Sequence, residues 1–135
     1  MIAVIDTNIL ARFLIGDDPA QGTKAERLFS TAKKIIIPTV VFCELCWVMS
    51  AVYKQPASFI ASGIRGILTI ANVEAKTDEI TAGLKMLDDG GDFADGVIAY
   101  TGGLMAGESS TFVSFDKQAV KKLSARGLSA LDADA

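Results

Sequence analysis

IIIPTVVFCELCWVMSAVY, residues 35–53, decides between two quite different folds. The stretch is long and apolar enough to be weighed as a membrane span. Against that, Glu44 falls at its middle, where an acidic group near the bilayer centre costs ~2.5–3.5 kcal/mol. Pro38 also breaks the run after a β-branched triplet, and Lys33, Lys34 and Lys54 flank both ends, giving no charge asymmetry. The better reading is a strand over Ile35–Ile37 followed by an apolar helix from Pro38. In that helix Glu44 is expected to sit among buried neighbours, where an ionised carboxylate must be paired, neutralised or bound to metal. An ion pair with Arg12 or a lysine is the plain structural alternative.

The same alternation continues on both sides. Met1–Ile5 reads as a strand buried on both faces, ending at Asp6. Thr7–Leu14 reads as a short helix, and GDDPAQ (16–21) as a turn in which Asp18 caps a new helix with Pro19 in its first turn. Further on, Pro56 and Ser58 open a helix, Thr69–Val73 is a weak third strand, and Thr77–Leu87 is helical. GGD (90–92) opens a helix to Ala106, Thr111–Phe115 is a strand ending at Asp116, and Lys117–Ser124 is helical. Leu128–Leu131 completes the set as a short strand. Short apolar strands alternating with helices mean an α/β protein with a parallel sheet. Ligands then bind beyond the carboxyl ends of the strands.

A chain of 135 residues with half of its residues hydrophobic is expected to form a single domain over 1–135. Net charge −3 argues against a broadly basic nucleic-acid binder, but not against an enzyme that meets nucleic acid through metal ions. No histidine is present, which removes a His-pair ribonuclease mechanism and a Ser-His-Asp triad. Two cysteines and an N-terminus with neither basic nor long apolar region suggest the cytoplasm. Cys43 and Cys46 lie too far along their helix for a thioredoxin-like pair, and no second pair completes a zinc site. They read as small buried hydrophobes, and Trp47 as packing.

Carboxylates stand where the elements begin and end: Asp6 and Asp116 after strands, Glu44 in the apolar helix, Asp92 and Asp95 in a first turn. Each aspartate has a local use as a helix cap, with Asp92 and Asp95 spaced as a capping box. Taken together, acids at strand ends and helix starts suit one cleft. Clustered carboxylates repel, and a cation relieves them. An all-oxygen set favours Mg²⁺ or Mn²⁺ over zinc, and phosphoryl chemistry by a metal-activated water follows.

The motifs VIDTNILARFLIGDDPAQ (4–21), IPTVVFCELCWVM (37–49), DFADGVIAY (92–100) and TFVSFDK (111–117) resemble, in order and spacing, the PIN-domain ribonucleases. The likeness is greatest to the VapC-type toxins of toxin–antitoxin pairs. That resemblance implies a three-layer α/β/α sandwich around a central parallel sheet of four to five strands. It also implies Mg²⁺- or Mn²⁺-dependent endoribonuclease activity and a cognate VapB-type antitoxin laid across the active-site groove. Residue by residue, it makes Asp6 and Asp95 direct metal ligands. Glu44 would bind directly or through water, and Asp116 would bind a second metal or hold a water. Thr7, Asn8 and Ser114 would orient carboxylates and waters, with Asp92 accessory. Gly96 stands where a small residue such as alanine is common, and is expected to loosen the helix near Asp95.

RNA, with transfer RNA the first expectation, would be held through phosphates by Arg12 and Lys117, with Lys33, Lys34, Lys54, Lys121, Lys122 and Arg126 as further candidates. Ile9, Leu10, Phe13, Leu14, Phe59 and Ile60 are expected to be core, or to receive the antitoxin or pack a homodimer. Two competing functions remain at this point: a metal-dependent phosphatase or phosphotransfer domain using Asp6, and a noncatalytic module of the same fold. DTNIL lacks the second acid of a DxD start, and the acid set is complete.

Overall fold

A computed structural model describes all residues, 1–135. The chain runs β1 (Ile2–Val4), α1 (Thr7–Ile15), α2 (Pro19–Thr31), β2 (Lys34–Ile36), α3 (Thr39–Ala51), α4 (Ala57–Leu68) and β3 (Val73–Glu74). It continues α5 (Thr77–Asp88), α6 (Phe93–Ala106), β4 (Phe112–Ser114), α7 (Lys117–Ala125) and β5 (Ala130–Asp132). Residues 35–53 resolve into the end of β2 and the whole of α3, and no helix is long and apolar enough to cross a membrane. The fold is α/β, with every strand pairing parallel. The strands form a three-stranded sheet, β1-β2-β3, and a two-stranded sheet, β4-β5. Two compact units result, Met1–Thr77 and Asp78–Ala135.

In the first unit, Ala3 lies opposite Ile35, and Ile35 opposite Val73. Ile35 and Ile37 are buried, as are Leu10, Phe42, Leu45, Met49, Ile64 and Ile67 from the helices. Phe13 stacks on Phe29, with ring centroids 4.1 Å apart. Among Ile9, Leu10, Phe13, Leu14, Phe59 and Ile60, Leu10 and Ile60 are core and only Phe59 is exposed.

Three expectations need correction here. Strand β1 is not buried on both faces: it pairs only with β2, and Val4 is 71% exposed. The third strand covers only Val73 and Glu74, because Thr69 ends α4 and 70–72 turn. Asn72 holds that turn, its amide donating to the carbonyls of Phe29 and Ala32. Finally, α3 is not buried all round. Val41, Phe42, Leu45, Cys46 and Met49 face inward, whereas Val40, Glu44 and Trp47 share an exposed stripe at helical spacing.

The second unit is built on Met86, Ala119 and Leu123, with Ala99, Phe112 and Ala130 packed against them. Of its three helices, α5 and α6 meet through glycines. A Cβ on Gly96 would lie 2.5 Å from the Ala82 carbonyl oxygen and 2.8 Å from the Met86 Cβ. A Cβ on Gly83 would lie 2.6 Å from the Phe93 ring. Gly96 therefore does not loosen the helix that carries Asp95; it lets α6 seat against α5.

Candidate metal centre

In the first unit, β1 delivers the chain to Asp6, the N-cap of α1, whose Oδ1 accepts the Ile9 amide at 3.1 Å. The next residue, Thr7, donates its hydroxyl to Glu44 Oε2 at 3.3 Å, so the start of α1 and the middle of α3 come together. Glu44 is solvent-exposed, which removes the reasoning that burial alone forces it to find a partner. Nor does Arg12 pair with it. Arg12 donates to Asp17 Oδ1 and Gln21 Oε1, each at 2.8 Å, and to the Tyr53 hydroxyl at 3.3 Å. Asp17 holds the guanidinium pKa above its ordinary value and is itself lowered in return.

A depression of about 470 Å³ opens beside these groups, lined by Asp6, Asn8, Ile9, Arg12, Gln21 and Lys24. Gln21 and Lys24 were not singled out by sequence. The usable signal was their spacing of three on α2, one helical turn, directly after the GDDP turn.

In the second unit, Asp92 caps α6, its Oδ1 accepting from the Ala94 amide at 2.7 Å and the Asp95 amide at 3.4 Å. Asp116 caps α7 through the Gln118 and Ala119 amides at 3.0 and 3.1 Å. The Ser114 hydroxyl oxygen accepts the Asp116 amide at 2.9 Å, fixing the turn that carries that acid. Asp92 makes only its half of the capping box: no bond runs from the Asp95 carboxylate back to its amide. Asp95 is thus the one acid of the set with neither a capping role nor a donor. Its pKa is raised, first by desolvation and then by the charges of Asp92 and Asp116. Lys117 is engaged elsewhere, bonded to Asp132 Oδ2 at 2.8 Å and lowering that carboxyl's pKa.

The acids therefore fall into two sets, Asp6 with Thr7 and Glu44 in one unit and Asp92, Asp95 and Asp116 in the other. Within neither unit are three carboxylates drawn to coordination distance. In the second they are near enough for repulsion to be felt. The donor chemistry fits a hard divalent cation: oxygen ligands only, with one part-buried carboxylate short of a counter-charge. Neither cysteine is in a disulfide; Cys46 is buried and Cys43 half-buried.

These features define an α/β protein with carboxylates at strand ends and helix starts. The chain matches the PIN domain over residues 3–125, through both units, and belongs to that family. It thus carries a nuclease-type fold; PIN domains are typically nucleases and generally use divalent metal ions. No curated protein gives a significant match to the chain.

Proposed function

We propose that this protein is a Mg²⁺- or Mn²⁺-dependent endoribonuclease, a toxin of the VapC kind restrained by a cognate VapB-type antitoxin. The observation that carries the reading is Asp95, part-buried, without a hydrogen-bond donor, and repelled by Asp92 and Asp116. Such a group is a poor structural element and a good cation ligand. The PIN family match supplies the expectation of nuclease chemistry.

Asp6, Glu44, Asp95 and Asp116 are the proposed ligands, as the family resemblance implies for each. A divalent ion held there would supply activation of a water and stabilisation of charge on the phosphate. The protein's own groups then have defined tasks. Thr7 orients Glu44 through its hydroxyl, and Ser114 holds the turn bearing Asp116. The Asp6 carboxylate keeps one oxygen on the Ile9 amide, which fixes its direction and leaves the second oxygen for the ion. That fixed role suits a ligand better than a phosphoacceptor. Arg12 and Lys117 take substrate phosphates by exchanging surface ion pairs worth about 0–1 kcal/mol each. The two units act as one PIN domain, in the cytoplasm, as a homodimer with transfer RNA as first substrate class.

The test is cleavage of RNA by purified, antitoxin-free protein with Mn²⁺, and its loss in Asp6→Asn and Asp95→Asn. Cleavage undiminished in both variants contradicts the proposal.

A further inference from the structure

We infer that Lys24 binds a backbone phosphate of the substrate strand, so that the RNA track leaves Asp6 along α1 and crosses onto α2. The inference rests on the nuclease reading of Asp6. Lys24 and Asp6 line the same depression, with Arg12 and Gln21 between the two helices. Arg12 is held in place there: its Nε donates to Gln21, and its Nη1 to Asp17 and Tyr53. Its Nη2 enters none of these bonds. Lys24 is the cation of this depression that no acid neutralises. Arg12, Lys34, Lys117 and Arg126 each face an acid, whereas Lys24 is exposed and makes no ion pair or hydrogen bond.

An unneutralised ammonium in a chain of net charge −3, in a depression that also holds a proposed metal ligand, matches the charge order of a nucleic-acid strand. In that order the reacting phosphate would sit at Asp6 and the neighbouring phosphate at Arg12 and Lys24. The Asn8 and Gln21 amides, in the same depression, offer hydrogen-bond partners for ribose hydroxyls, which distinguish RNA from DNA. Sequence alone gives Lys24 no such distinction, because it is one of nine lysines in the chain.

The experiment follows cleavage of a single-stranded RNA in Mn²⁺ over a series of KCl concentrations. In parallel, fluorescence anisotropy measures binding of the same RNA to Asp95→Asn protein. Lys24→Gln should raise KM about 3- to 10-fold with kcat changed less than about twofold. It should also weaken binding and flatten the log–log salt dependence by about 0.7. Lys24→Arg should restore both, and Lys76→Gln, an exposed lysine outside the depression, should change neither. If wild type cleaves and Lys24→Gln keeps the wild-type KM, affinity and salt slope, the inference fails and the nuclease reading stands. If wild type does not cleave but Lys24→Gln still weakens binding and flattens the slope, the nuclease reading fails and the phosphate contact stands. A loss that Lys24→Arg does not rescue also overturns the assignment, since a charge contact survives that exchange.

Discussion

Asp6, Asp18, Asp92 and Asp116 each accept first-turn amides of a helix, and each such cap contributes about 0.5–2 kcal/mol. Three of these four are also proposed to work at the metal centre or beside it, so function and capping must be separated by substitution. Asparagine keeps the cap and removes the charge. Asp116→Asn should therefore unfold at the wild-type urea midpoint while cutting cleavage, whereas Asp116→Ala should also lose about 1 kcal/mol of stability. Asp95 predicts the opposite sign. Its folded pKa lies above the unfolded value, so the folded state binds the proton more tightly. Stability from this group falls as pH rises through that interval, and the penalty persists at neutral pH. In EDTA, Asp95→Asn should melt a degree or two above wild type, roughly, at pH 7, the shift being small because the group is part-exposed. The gap should close toward pH 4. A variant that melts lower at pH 7 would show that Asp95 is held by a partner.

On the scale of elements, most of the architecture was legible. Asp18-Pro19 marks the start of α2, and Pro38 and Pro56 mark the starts of α3 and α4. These are local signals, fixed by φ restriction and amide satisfaction. The environment of α3 was not legible, because an almost wholly apolar helix carries no periodicity from which to read its exposed stripe. The pattern therefore puts Glu44 in a helix but does not reveal that it faces solvent. Thr7 turns Glu44 toward the start of α1, and glutamine keeps an oxygen for that bond while removing the ligand charge: Glu44→Gln should nearly abolish RNA cleavage, while Cys43→Ala with Cys46→Ala should leave it largely intact. The role of Gly96 is hidden for a related reason, since a close approach to Ala82 is a tertiary fact that no spacing reveals. Alanine is favoured over glycine in a helix by about 1 kcal/mol, yet here its Cβ meets a backbone oxygen that cannot rotate away. Gly96→Ala should lower stability by about 1–3 kcal/mol net, read from the urea midpoint. An unchanged or raised midpoint would mean that α5 and α6 shift apart without loss.

For the whole molecule, the order of four motifs identified the family, and the match over residues 3–125 bears that out. The resemblance implies a central parallel sheet of four to five strands; the fold is α/β with five parallel-pairing strands, set as a three-stranded sheet, β1-β2-β3, and a two-stranded one, β4-β5. Three-residue strands carry too little pattern to specify their partners. The acid set was legible as residues, since aspartates after strands and at helix starts stand out. Their separate environments were not, because capping bonds and charge repulsion depend on neighbours far apart in sequence. A bound cation would stabilise the fold in proportion to occupancy, by about 2.7 kcal/mol at a hundredfold excess over Kd. The most direct measurement is incubation of purified, antitoxin-free protein with total RNA in Mg²⁺, Mn²⁺ or EDTA, with 5′ ends mapped. Discrete new ends that require the metal and vanish in Asp6→Asn and Asp95→Asn are the predicted result. Cleavage that survives EDTA, or persists in both variants, would contradict a metal-dependent nuclease.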